Sequence, residues 1–170
     1  MFKKGQSSLW WYCLKFHRAE KGEFMRALVQ RVSKASVTVE GNTVGSILKG
    51  LCVFVGVTHS DTAKTAERLA KKLLHLRIFE DNSGKMNLST IDLNSEILVI
   101  SQFTLYGDAQ KGRRPSWIAS APGEVAEPLI ECLVDCLRNE GIQVETGSFG
   151  AFMNVELINS GPTTLIIDVD

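Results

Sequence analysis

Histidine is scarce in this chain, three among 170 residues, and that scarcity excludes much chemistry. Beyond residue 24 only His59 and His75 remain, and neither has a Glu or His at metal-ligand spacing, so no H-E-x-x-H zinc site exists. There is no G-x-S-x-G nucleophile elbow and no G-x-x-x-x-G-K-[ST] phosphate loop. The four cysteines, Cys13, Cys52, Cys132 and Cys136, form no C-x-x-C pair. Cys132 and Cys136 stand one helical turn apart without a further ligand nearby, so they read as thiols of a helix core, and the chain as cytoplasmic and free of disulfides. No apolar run approaches the roughly 20 residues of a membrane span. Charge of either sign is not in excess: 19 Lys/Arg balance 19 Asp/Glu. Any hydrolysis here needs something other than a triad or a metal, and neither metal nor cofactor is expected.

What is present belongs to an ordinary globular protein: 44% apolar and 22% charged residues, enough length for one domain with a real core. Residues 1–24 differ from the rest. They hold five Lys/Arg against two acids, and two of the three tryptophans. Their apolar stretch, 9–14, is short of the roughly 7–15 residues of a signal peptide's apolar region. They read as an over-extended start, a targeting extension or a tethering arm, with residues 25–170 as the folded domain. Without them the chain carries a net charge of −3, so it is no general polyanion binder; contact with nucleic acid must be local.

Periodicity supplies the elements. Residues 27–32 and 35–39 alternate apolar and polar, as one kinked strand or two short ones. A short strand follows at 44–47. Leu51 to Val57 (LCVFVGV) is a continuous apolar run, read as a strand buried on both faces. Ser60-Asp61-Thr62 offers an N-cap for a helix to about Leu74, with His75 at its C-terminal dipole. The chain should re-enter the sheet at 77–79, loop at 81–84, and form a central strand at 96–101. An exposed polar loop, 107–115, precedes a second amphipathic helix at 122–139, ended by Gly141. Strands at 142–146, 153–158 and 164–169 finish the chain. The class is α+β: a curved, mostly antiparallel sheet or open barrel with two main helices, in a single domain.

Two segments stand out. Ser101-Gln102-Phe103-Thr104-Leu105-Tyr106 leaves a buried strand and offers hydroxyls, an amide and backbone N–H groups that can hold a carbonyl oxygen as charge develops on it. Thr104 is the obvious nucleophile, yet no base is visible to activate it. Taken alone, the segment reads first as a polar strand end satisfying its own backbone. Asn159-Ser160-Gly161-Pro162-Thr163-Thr164 interrupts two apolar alternating runs. Its Gly-Pro pair is either a hairpin turn or a place of close backbone approach, where a cis bond is permitted.

Together these segments resemble the paired signatures of the D-aminoacyl-tRNA deacylase family. The resemblance covers 25–170 and includes Arg31-Val32 with Ala35-Ser36-Val37, Gly50-Leu51, residues 77–81 (RIFED), residues 85–89 (KMNLS), Gly112-Arg113-Arg114-Pro115 and Phe149-Gly150-Ala151. One departure concerns the last motif, usually N-D-G-P-V-T in the family; Ser160 and Thr163 replace the aspartate and valine here.

The resemblance implies hydrolysis of the ester between a D-amino acid and tRNA, in a homodimer, assisted by the substrate's own 2′-hydroxyl. It implies catalytic contributions from Ser101, Gln102, Phe103 and Thr104, the latter two chiefly through backbone N–H groups. Gly161 and Pro162, as a Gly-cis-Pro loop from the second subunit, would reject L side chains. Phe149, Gly150, Ala151, Met153 and Asn159 would line the substrate pocket. A filter that excludes side chains cannot exclude hydrogen, so glycyl-tRNA should also be cleaved. Lys111, Arg113 and Arg114 are expected at tRNA phosphates. No membrane and no stable DNA partner is expected. Two other functions remain open: a non-catalytic RNA- or DNA-binding module on the same fold, and an editing domain akin to those of archaeal threonyl-tRNA synthetases.

Overall fold

The computed structural model describes residues 24–110 and 112–170. Expectations for the N-terminal segment and for Lys111 lie outside the described residues.

The longest apolar alternation becomes one strand, β1 (Met25–Val39), whose residues 25, 27, 29 and 31 point to the buried side. It is the hub of the sheet. β2 (Asn42–Ile47) pairs with its second half and β3 (Gly50–Gly56) with its first, both antiparallel. The sheet continues through parallel pairs from β3 to β6 (Glu96–Ser101) and on to β7 (Val144–Thr146). Two parallel pairs demand crossovers, and the two main helices provide them: α1 (Ala63–His75) between β3 and β6, α3 (Gly123–Asn139) between β6 and β7. A one-turn helix, α2 (Thr90–Leu93), leads into β6. The sheet curls until β2 meets β7: a Cβ on Gly45 would stand 2.6 Å from the Thr146 carbonyl oxygen. The result is a mixed, nearly closed barrel in one α+β domain.

Both faces of β3 are covered, as its unbroken apolar run requires. Leu51, Val53 and Val55 pack with Ile97 and Val99 under α1 and α3. Cys52 and Phe54 face the barrel interior with Leu98 and Ile100. α1 buries Ala66, Leu69, Ala70, Leu73 and Leu74 as its stripe predicts, with Thr62 at its N-cap and the Thr62 N–H donating to Thr65 Oγ1 at 3.2 Å. α3 ends at Gly141, whose φ of +84° suits a residue without Cβ.

Three local expectations need correction. Residues 77–79 do not rejoin the main sheet. β4 (Phe79–Glu80) pairs with β5 (Met86–Leu88) as a separate two-stranded unit, because the Asp81 turn sends the chain straight back on itself. Asp81 Oδ1 accepts from the Ser83 and Lys85 N–H groups at 2.8 and 3.1 Å. The strand expected at 142–146 is shorter, β7 alone. The segment around Gly161 is not a hairpin turn between strands. β8 (Asn154–Val169) runs on in one direction along β1. Asn159 pairs with Val32 and Thr164 with Gln30, so four residues of β8 bulge opposite the single residue Arg31.

Candidate functional site

β3 and β6 run parallel and end side by side. The chain leaving β6 tightens into a 3-10 turn, Phe103–Tyr106. Gln102 N–H still belongs to the sheet, donating to the Val55 carbonyl at 2.7 Å, while Leu105 N–H closes back on Gln102 O at 3.2 Å. The N–H groups of Phe103 and Thr104, which precede the first bond of the turn, have no acceptor within it.

At this strand end lies a cavity of about 690 Å³. Ser101, Gln102 and Phe103 form one side, and Phe149, Gly150, Ala151 and Met153 the other. Seven of the expected site residues are thus brought together. Thr104 sits just behind the lining, its hydroxyl accepting from the Gln102 side-chain amide. Sequence reasoning missed Trp117, which meets Phe103 edge-to-face at 5.5 Å between ring centroids, and Phe152, which is fully exposed at the mouth. An indole directly after a polar, arginine-rich loop was the available signal for Trp117. Small residues Ala121, Gly123 and Ala126 keep the α3 side open.

The cavity is chemically spare. Among the described residues no Asp, Glu, His, Lys, Arg, Cys or Tyr lines it, so none of these side chains there is built to move a proton near neutral pH. The hydroxyl of Tyr106, the last residue of the turn, donates to the Phe24 carbonyl, and burial raises its pKa. The His59 ring Nε2 lies 2.9 Å from the Ile118 carbonyl oxygen. Among the described residues no cluster of His, Cys, Asp or Glu is arranged to hold a metal. What the site offers is shape, aromatic surface, an amide, a hydroxyl and backbone N–H groups.

Asn159, Gly161 and Pro162 do not line this cavity. They sit opposite Arg31, whose β1 position pairs with Leu51 at the start of β3, whereas the cavity lies at the end of β3. Four residue steps along β3, from Leu51 to the cavity-lining Val55, put about 13 Å between the two. The Gly161–Pro162 bond is cis. The bulge is held from beneath by Arg31, only 6% exposed. Its guanidinium donates to three carbonyls: Ile78 at 2.6 Å, Ser160 at 3.0 Å and Gly161 at 3.0 Å. Glu80 Oε1 stands 3.7 Å away. The Asn159 amide, turned to suit its neighbours, donates to the Arg31 and Thr163 carbonyls at 3.0 and 3.2 Å. Thr163 is buried, with Oγ1 3.9 Å from Met86 Sδ on β5. The small β4–β5 unit and Arg31 therefore buttress the bulge. Arg31 was detectable in the sequence as a charge in the buried phase of an alternating strand.

Gly161 has no evident reason among the described residues to be glycine. Its two chain neighbours aside, a Cβ there would meet nothing among them nearer than Asn159 Nδ2 at 3.9 Å, and its φ is not positive. Arg113 and Arg114 are exposed on the loop closed by the Asp108–Ser116 bridge, outside the cavity lining.

A family model described as D-Tyr-tRNA(Tyr) deacylase matches residues 28–168. The chain is 58% identical over 144 residues to a D-aminoacyl-tRNA deacylase of Geobacillus sp. (strain WCH70), covering 85% of this chain and 95% of the relative. It is 54% identical over 144 residues to one of Thermosipho africanus, covering 85% and 97%. Among solved structures it resembles the c-Myc DNA Unwinding Element Binding Protein, with a TM-score of 0.78, 41% identity, and coverage of 84% and 97%. A probable eukaryotic D-amino acid tRNA deacylase, at 18% identity and a TM-score of 0.75, shares the fold.

Proposed function

The chain belongs to the D-aminoacyl-tRNA deacylase family and is a hydrolase of that class, and we propose that it works as a homodimer whose Gly161-Pro162 bulge completes the partner's cavity. The observation that carries this is Gly161 itself. Glycine permits close approach of another molecule, and its chain neighbours aside, nothing among the described residues comes close. β8 supports a second copy as well. Its outer edge pairs with no strand among the described residues, and Ile158, Leu165 and Ile166 on it are exposed. Such an edge is normally covered.

In that assembly the terminal adenosine enters the cavity against Phe103, Trp117 and Phe149, which suit a flat aromatic base. The aminoacyl carbonyl lies at the 3-10 turn. Aminoacyl esters are activated, so orientation and oxyanion support suffice. Water adds to the carbonyl carbon, the N–H groups of Phe103 and Thr104 steady the developing oxyanion, and the ribose 3′-oxygen leaves with a proton. The substrate's vicinal 2′-hydroxyl relays that proton, which agrees with a cavity lined by no acid or base. Ser101 and Gln102 position the ester.

Selectivity is rejection. Arg31 fixes the carbonyls of the bulge, so the loop does not yield to an L side chain, while a D side chain points elsewhere. Glycine carries no side chain on either side, so glycyl-tRNA is cleaved too. Arg113 and Arg114, with Lys111, meet acceptor phosphates.

The test is hydrolysis of D-tyrosyl-, L-tyrosyl- and glycyl-tRNA side by side. Loss of the D and glycyl esters with the L ester intact is expected; resistance of all three would sink the enzyme. Similarity to the c-Myc DNA Unwinding Element Binding Protein favours one second reading, a nucleic-acid-binding module. With a net charge of −3 over residues 25–170, duplex DNA should bind weakly at physiological salt. Tight duplex binding without deacylation would favour the module.

A further inference from the structure

The exposed face of α1 carries a groove that the cavity chemistry does not use. It is lined by Arg68, Lys71, Lys72, His75, Leu76 and Arg77, has a volume of about 460 Å³, and contains no carboxylate in its lining. Helical spacing aligns Arg68, Lys71 and His75 in one stripe. Arg68 meets the terminal Asp170 on the surface; Lys71 and Lys72 make no ion pair among the described residues. α3, packed alongside, presents Glu124, Glu127, Glu131 and Asp135, and the 25–170 domain as a whole is net negative. Cations concentrated on one helix of an acidic body are a local electrostatic footprint.

Position gives this footprint its meaning. α1 begins near the cavity end of β3 and runs back to the end where the Gly161 bulge lies. Arg77 Nε donates to the Asn87 carbonyl at 2.8 Å. Asn87 follows Met86, which touches Thr163, and Ile78 shares the Arg31 guanidinium with Gly161. The groove and the bulge are therefore one continuous region, and a cavity completed by a partner's bulge has the partner's groove at its rim.

We propose that the α1 groove docks the phosphate backbone of the substrate tRNA beside the ester-bearing end. The proposal rests on the deacylase reading. Lys71 and Lys72 contact phosphates as point charges, so they raise affinity for the whole tRNA and leave the chemical step alone.

The experiment compares D-tyrosyl-tRNA with D-tyrosyl-adenosine, which has the ester but no phosphates, using the full-length Lys71→Gln/Lys72→Gln protein. Both lysines are exposed, so the fold should be unaffected. With tRNA, KM should rise roughly tenfold at unchanged kcat, and the slope of log affinity against log salt should fall by about 2, near 1 per lost phosphate contact. D-tyrosyl-adenosine should be hydrolysed as by the wild type, and the Lys71→Arg/Lys72→Arg protein should keep the tRNA behaviour. A wild-type KM and salt slope in the Gln protein would overturn the groove, as would equal losses on both substrates. Wild-type protein inactive on both substrates would remove the functional reading, and the groove's assignment with it.

Discussion

Replacing Gly161 by alanine separates what the chain needs from what the site needs. Its chain neighbours aside, the added Cβ meets nothing among the described residues closer than 3.9 Å, and the backbone there does not require a positive φ. A tolerated Gly→Ala change stabilises by about 0.4–1 kcal/mol, through the unfolded state. In a domain of this size the melting temperature should hold or rise by about 1–4 °C. Activity should behave oppositely. A methyl group pressed into a closely fitted site costs about 1–3 kcal/mol, which is roughly 5- to 150-fold in kcat/KM toward D-tyrosyl-tRNA. Paired measurement of thermal melting and single-turnover deacylation decides. A folded variant within about twofold of wild-type kcat/KM would refute the idea that the bulge faces substrate. A variant melting several degrees lower would show that the chain itself requires the glycine.

Other outcomes follow from the same geometry. Arg31→Lys keeps the charge but loses the planar fork that serves three carbonyls; melting should register a loss of about 1–3 kcal/mol, and hydrolysis of L-tyrosyl-tRNA should become measurable. Thr104→Val should stay within about fivefold of wild type, against the roughly 10²–10⁴-fold loss of a true proton-transfer group. Asp81 has its pKa lowered, first by the Ser83 hydroxyl and then by the Lys85 and Ser83 N–H groups. Its support of the β4–β5 unit is therefore complete above the ordinary 3.8 and lost as pH falls through the lower folded value. NMR signals of residues 79–88 should lose dispersion in that acid window, and in Asp81→Asn, which has no carboxylate to titrate, the change across that window should be absent. Burial pushes the Cys52 thiol up to about 12, so Cys52 should resist alkylation in the native protein at pH 8 while Cys132 and Cys136 react faster.

The sequence pattern was legible wherever one physical effect dominated. The unbroken run of β3 announced burial on both faces, and the stripes of α1 and α3 fixed which sides meet the sheet. Gly141 marked a helix end by its missing Cβ. The bulge in β8 was hidden because its polar residues, Asn159 to Thr164, look the same whether they bond water in a turn or Arg31 across a ladder. The separate β4–β5 unit was hidden for a related reason: its direction is set by the Asp81 turn, not by periodicity. Of the site, the strand-end segment 101–103 and the loop residues 149–151 and 153 were visible by residue type and resemblance, and the fold brings them together. Trp117 and Phe152 were missed because single aromatics in loops carry no period. That Gly161 lies away from its own chain's cavity depends on the pairing register, which no local pattern reports.

The central claim is that the cavity and the bulge come from different subunits, and a mixture of two defective proteins tests it directly. Ala151→Phe fills the cavity and leaves the bulge intact; Gly161→Ala spoils the bulge and leaves the cavity open. Each should be nearly inactive alone. After co-refolding or subunit exchange, mixed dimers contain one intact composite site, and random mixing should restore about a quarter of the wild-type sites. Recovery of D-tyrosyl-tRNA hydrolysis to that level is the predicted result. A mixture as inactive as its parents, with mixed dimers demonstrably formed, would contradict the shared site.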